Sequence, residues 1–172
     1  MSTKKKTLPS ISITKAQFTK MNKKRRIVHL AKDVLLQLAS EKLIAEHGTY
    51  CSMTKRGRYI NKFSRAFSKK SAQDIINAAD TTCHVCAKGA LICSYVSQFN
   101  GVVMEDFNGA QNNDLDDIFG YEMWDQIEML FEGMGDWQNH DMEFIMNHLI
   151  TNKGELVMSA FKRKSLSQIR RY

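Results

Sequence analysis

Apolar residues recur at helical spacing over most of this 172-residue chain. From Lys23 onward, Ile27, Leu30, Ala31, Val34, Leu35 and Leu38 fall at i, i+3, i+4, i+7, i+8 and i+11. That spacing predicts a first long core helix over about 23–46, with Gly48 as its stop. Thr14 and Gln17 stand at capping-box spacing ahead of it, which predicts a shorter helix interrupted near Asn22. The densest apolar stretch is 83–99. Wound at about 100° per residue, it gathers Cys83, Cys86, Ala87, Ala90, Cys93, Ser94 and Ser97 on one face. Val85, Leu91, Ile92, Tyr95, Val96 and Phe99 fill the other, and Lys88 is its single charge. A helix apolar nearly all round is buried, and a face of small side chains lets another backbone come close. The pattern therefore predicts a central core helix over 83–99, capped by Asp80, Thr81 and Thr82.

The rest of the chain follows the same logic. Ser71 with Asp74 starts a short helix through Ile75 and Ile76. Asp114 caps a helical stretch carrying Ile118, Met123, Trp124, Ile127, Leu130 and Phe131, broken at Gly120. Asp141 caps a last helix with Phe144, Ile145, His148 and Leu149 inward, ending at 152–154. Strand-type residues occur only briefly, at 49–54 and 102–104, and 55–58 reads as a basic turn. The expected fold class is mainly α: a single compact helical domain of four to six helices around the buried helix 83–99, with one or two short strands. The domain spans 15–154, between a basic flexible arm (1–14) and a basic C-terminal tail (155–172).

Charge changes this picture more than composition does. The net charge of +7 conceals three blocks. Residues 1–88 hold 19 Lys and Arg against five acids, residues 89–152 hold no Lys or Arg and twelve acids, and residues 153–172 hold six Lys and Arg against Glu155. Such asymmetry points to an anionic partner for the first block, a cationic partner for the second, or blocks that answer one another between copies. No apolar run approaches the roughly 18 residues of a membrane span, and no signal-peptide pattern follows the N-terminal lysines. Four cysteines without a paired framework read as reduced, buried small hydrophobes, so a cytoplasmic protein is expected.

Candidate chemistry is sparse. Cys83 and Cys86 are weak candidates for a metal or redox pair. Cys93, on the same predicted face, lies about 10.5 Å further along the helix axis from Cys86, too far to share one ion. A zinc site would need distant ligands such as Cys51, His47, His140 or His148. The run Asn112 to Asp117 fails as a calcium loop, because its sixth position is Asp117 instead of glycine and its twelfth is Met123 instead of glutamate. No nucleotide-binding, serine-hydrolase or zinc-protease motif occurs. His84, beside Tyr95 on the large face, and His148 read as core histidines. No cofactor is expected.

The binding argument rests on Lys23, Lys24, Arg25, Arg26, Arg56, Arg58, Lys62, Arg65 and Lys69, which together could line a surface for phosphates. In 59–70, Tyr59, Ile60, Phe63 and Phe67 share one side of a helical wheel and Lys62, Arg65 and Lys69 the other. Glu128, Glu132 and Asp136, at i, i+4 and i+8, form the matching acidic face.

The segment Cys86-Ala87-Lys88-Gly89-Ala90-Leu91 resembles the Cys-Ala-x-Gly-Ala-Leu signature of an uncharacterised family of small helical proteins of bacteria and their phages. The layout is similar over about 25–153, with Trp137, Asn139 and Asp141 as counterparts of a late cluster in that family, although Val85 replaces an aromatic before the cysteine. The resemblance implies a bacterial or phage origin and no activity. The expectation is a non-enzymatic cytoplasmic binding protein, encoded by a phage, that engages nucleic acid or an acidic protein surface through its basic half. One alternative is an interaction or inhibitor protein using its acidic 105–143 face against a basic partner or a copy of itself. Another is a small metal-dependent enzyme.

Overall fold

A computed structural model describes residues 12–59, 72–99, 113–132 and 139–156 of the chain. The expected strand at 102–104, the side chains of the basic stretch at 59–70, Asp136 and both arms up to residue 11 and from 157 lie outside the described residues. The chain is mainly α. Seven helices are described, α1 (Lys15–Lys20), α2 (Lys23–Ala39), α3 (Ala72–Asn77), α4 (Ala87–Phe99), α5 (Asn113–Phe119), α6 (Tyr121–Glu132) and α7 (Asn139–Thr151). They accompany a four-stranded sheet of β1 (Leu43–Ala45), β2 (Cys51–Lys55), β3 (Arg58–Tyr59) and β4 (Thr81–Val85), in the order β1-β4-β2-β3.

Local signals act where they were expected. Thr14 and Gln17 form the capping box of α1, and Asn22 accepts the Arg25 amide as the N-cap of α2. Gly120, at φ 72°, separates α5 from α6. The seven helices and four strands described exceed the expected four to six helices and one or two short strands, and two of the expected helices change in extent. The helix of about 23–46 ends at Ala39, and Leu43–Ala45 becomes a strand parallel to β4. The predicted helix 83–99 is two elements: its first residues belong to β4, and the helix begins only at Ala87.

The reason is visible in β4. Thr81, Thr82 and Val85 are β-branched, and burial alternates along Thr81–Val85 with the period of a strand. Leu43, Met53, Cys83 and Val85 turn to the core, whereas Ile44, Ser52, Thr82 and His84 share the other face. β4 pairs with β1 on one side and antiparallel with β2 on the other, which satisfies its backbone groups. A helix would have left those of β1 and β2 without their partner.

α4 lies across the core face of the sheet and is packed by α2, α3 and α6. Its small face does admit neighbouring backbone: Ser94 Oγ lies 3.4 Å from the Leu30 carbonyl on α2. A Cβ on Gly89 would overlap the Tyr50 carbonyl oxygen and stand 3.0 Å from its carbon. Between α2 and α4 runs a buried polar seam. Ser94 Oγ donates to Asp33 Oδ2 at 2.8 Å, Gln37 reaches the same oxygen, and His29 Nε2 meets Gln98 Oε1 at 2.7 Å.

Candidate functional site

The first turn of α2 holds Lys23, Lys24, Arg25 and Arg26 and no acid. Lys23, Lys24 and Arg25 are exposed, and Arg26 is half-buried with Nε donating to the Met21 carbonyl at 3.0 Å. Cations at the positive end of the helix dipole are each unfavourable by roughly 0.3–1 kcal/mol at exposed positions. Among the described residues only Lys24 of the four is neutralised, by Glu155, whose carboxyl it pulls below the usual range. Lys23 stands beside the α5–α6 junction, its Nζ 3.7 Å from where a Cβ on Gly120 would be. Lys20 adds a further charge in the last turn of α1.

The other described basic candidates lie elsewhere. Arg58 is in β3, and Arg56, at the tip of the β2–β3 hairpin, pairs with Asp80 at 3.3 Å, as does Lys55 at 3.7 Å. Lys42, just beyond the C-terminal end of α2, anchors the adjoining turn by donating to the carbonyls of Ile76, Ala78 and Thr81. The hairpin is therefore at the far end of α2 from Lys23, about 25 Å away along a 17-residue helix. The structure divides the expected basic surface into two clusters. Lys62, Arg65 and Lys69 lie outside the described residues.

Two of the three acids expected on the acidic face are turned toward the chain itself. Glu128 accepts from Lys88 at 3.0 Å, and the Lys88 ammonium also lies 5.5 Å from the Trp124 ring centroid. Glu132 accepts the Gly48 amide at 2.7 Å and lies 3.9 Å from His47, which stacks on Phe131. Their i, i+4 spacing was legible, but their partners come from α4 and the β1–β2 loop. Besides Glu122, α6 exposes Tyr121, Asp125 and Met129, again at i, i+4 and i+8, with Tyr121 81% and Met129 57% accessible. Charge spacing alone does not mark this strip, since two of its three residues are uncharged.

Cys83 and Cys86 do not share a face. Cys83 points from β4 into the core, where its thiol meets those of Cys51 and Cys93. Cys86 is the residue before α4: its carbonyl accepts the Ala90 amide at 2.8 Å and its Sγ accepts the Gly89 amide at 3.4 Å, so it caps the helix in place of the expected Asp80–Thr82. Among the described residues no group of three or more His, Cys, Asp or Glu side chains could hold a metal ion. His84 also differs from expectation. It lies on the outer face of β4, away from Tyr95, with Nδ1 2.8 Å from Glu46 Oε2 and Nε2 3.5 Å from Thr54 Oγ1.

Burial sets the chemistry of Cys86. It pushes the thiol up to about 11, with Glu132 and Glu128 adding to the effect against the Gly89 and Lys88 amides. Burial, then Cys86 and Glu128, raises Tyr50 in the same direction. A thiol held neutral is a poor nucleophile, so Cys86 serves as a cap. The unfolded chain loses this proton near 9.0, so the stability due to the neutral thiol is fully present below pH 9 and is lost as pH rises through 11. We expect Cys86 to account for about 2 kcal/mol of destabilisation at pH 11. Thermal melts from pH 8 to 11 check this: the decline should be shallower for Cys86→Ala than for the unaltered chain.

No protein-family model, curated protein or solved structure matches the chain. Among the described residues no helix is long and apolar enough to cross a membrane.

Proposed function

We propose that this is a non-enzymatic binding protein that engages an anionic partner, nucleic acid or an acidic protein surface, through the cationic end of α2. The supporting observation is that Lys23, Lys24, Arg25 and Arg26 are crowded, largely exposed, into the one turn where positive charge is least favourable, with no acid among them. An anion placed there offsets both the mutual repulsion and the dipole. A cytoplasmic setting and a phage origin, the latter from the resemblance around Cys86–Leu91, belong to the same proposal.

The experiment is binding of the purified chain to labelled single-stranded and duplex DNA and RNA across a salt series, with Lys23→Glu/Arg25→Glu alongside. Each phosphate that the protein no longer neutralises should flatten the log–log salt slope by about 0.9 on duplex DNA. We expect the double variant to flatten it by about 2 and to weaken binding at least tenfold at low salt. Absence of binding at low salt would sink nucleic acid as the partner.

A second reading is favoured by the exposed strip on α6. Tyr121 and Met129 flank Asp125, next to Glu122, in a block of sequence without a single Lys or Arg. Apolar anchors within acidic surroundings suit a cationic amphipathic segment of a protein partner. Tyr121→Ser/Met129→Ser should then abolish capture of that partner while the α2 variant leaves it intact.

A further inference from the structure

All four cysteines are free, and three of them converge on one place in the core. Cys51 opens β2, half-buried, Cys83 lies in β4, and Cys93 is fully buried midway along α4. The Cys51 and Cys93 sulfurs are 3.7 Å apart, in van der Waals contact, although the residues are 42 positions apart in sequence. Contact of this kind between two unlinked thiols is what a disulfide requires before it forms: the bond itself is about 2.05 Å, so closure moves the two sulfurs together by about 1.6 Å.

We propose that Cys51 and Cys93 are a site of reversible oxidation, joined as a disulfide when the protein meets a hydroperoxide. The geometry selects Cys93 over Cys83 as the partner. In the β2–β4 ladder Cys51 stands opposite Val85, and Cys83 stands opposite Met53. Cys51 and Cys83 are thus diagonal neighbours on adjacent strands, farther apart than residues directly opposite, and it is Cys93 whose sulfur stands 3.7 Å from that of Cys51. Cys93 approaches Cys51 from α4, which packs on the core face of the sheet. Cys86 is committed to capping α4.

The chemistry balances with the peroxide as the oxidant. The neighbouring Cys83, then burial, holds the Cys51 thiol protonated above its ordinary range, so its sulfur, in the least buried of the three residues, attacks the outer oxygen of the hydroperoxide as its proton passes to the Cys83 sulfur. The O–O bond breaks, the remaining oxygen departs with that proton, handed on by Cys83, as an alcohol (or water, from hydrogen peroxide), and Cys51 becomes a sulfenic acid. The Cys93 sulfur then attacks the Cys51 sulfur, forms the S–S bond, and the hydroxyl leaves with the Cys93 proton as water. Two electrons pass from the two sulfurs to the peroxide. Cys83 supports the site: its thiol is pulled down by the S–H groups of Cys51 and Cys93, then by Lys42 and His84, so negative charge in the cluster settles there. The bond would tie the sheet to α4 and raise Tm by roughly 10 °C relative to the reduced form.

The test treats the reduced full-length chain with a few equivalents of hydrogen peroxide, alkylates it with N-ethylmaleimide in denaturant, and measures intact mass and the tryptic map. We expect two of the four thiols to escape alkylation, a Cys51–Cys93 cross-linked peptide that dithiothreitol removes, and the same product from Cys86→Ala. Cys51→Ala, at a half-buried position, should alkylate at its three remaining thiols. The proposal is overturned by four alkylated thiols after treatment, by a Cys51–Cys83 or Cys86-containing link instead, by over-oxidation of Cys51 without a link, or by an equal yield from chain unfolded in guanidinium before oxidation.

Discussion

Gly89→Ala is expected to be among the most destabilising single substitutions in this protein, about 3–5 kcal/mol, although alanine is the better helix former by about 1 kcal/mol. Gly89 lies in the first turn of α4, where an added Cβ overlaps the Tyr50 carbonyl oxygen, with Val85 Cβ 3.4 Å away on the other side. Neither neighbour is the free end of a flexible chain. The Tyr50 backbone is held by the connection around it, in which the Cys86 amide donates to Thr49 at 2.7 Å and the Glu46 amide to Val85 at 3.0 Å. Relief of the overlap must move α4 off the β1–β2 loop and give up those bonds. Urea unfolding followed by far-UV circular dichroism measures the effect. Gly57→Ala is the comparison, since it adds a Cβ in open space and carries only the strain of φ 73°, about 1–2 kcal/mol. A Gly89→Ala chain as stable as the Gly57→Ala chain would show that the close approach does not constrain the fold.

Lys42→Met should cost about 2–4 kcal/mol. The methionine keeps the length of the stem and removes only the ammonium, which donates at 3.2 Å to Ile76, at 2.9 Å to Thr81, and to Ala78. Two of those carbonyls belong to the C-terminal end of α3 and the residue beyond it, which a helix leaves without intrahelical partners. The third begins β4. The ammonium therefore ties the end of α3 to the strand that carries Cys83. Amide exchange should report the loss locally: the Thr81 amide, which donates to Ala78 at 3.1 Å, should exchange faster before any global unfolding is seen. Lys42→Arg should recover part of the stability, because it restores charge and donors in a different geometry. Unchanged exchange in Lys42→Met would mean that the turn holds by its backbone alone.

The contacts at the start of α4 explain why the signature-like segment Cys86–Leu91 has its composition. Cys86 caps, Ala87 and Ala90 are fully buried, and Gly89 makes room for the Tyr50 carbonyl. Each position answers a packing demand at a strand-to-helix junction.

Much of the helical frame was legible in the chain. Thr14 with Gln17, Asn22, Gly120 and the turn at 152–154 mark ends by interactions within three or four residues, and Ile27, Leu30, Ala31 and Val34 declare the buried side of α2 by their spacing. The cationic first turn of α2 was legible for the same reason. Leu43–Ala45 was not, because three residues carry no period of their own and become a strand only by pairing with 83–85. The 83–86 segment misled for a related reason. Small residues at 83, 86, 87, 90 and 93 lie on one helical face by spacing alone, while the alternation from Thr81 to Val85 is short and competes with it.

The sequence by itself determined the ends marked by local caps and turns (the starts of α1 and α2, the break at Gly120, the end of α7) and the apolar side of α2, since these depend on near neighbours along the chain. Only the tertiary structure decided what stands across from each side chain. It placed Lys88 against Glu128 and the Gly48 amide against Glu132, which withdrew two acids from the expected face and left Tyr121 and Met129 in view. It set Arg56 and Lys23 at opposite ends of α2 and brought Cys93 to Cys51 instead of setting Cys83 beside Cys86. Those outcomes depend on pairing between segments tens of residues apart, where the choice of partner rests with the packed core and no local pattern records it.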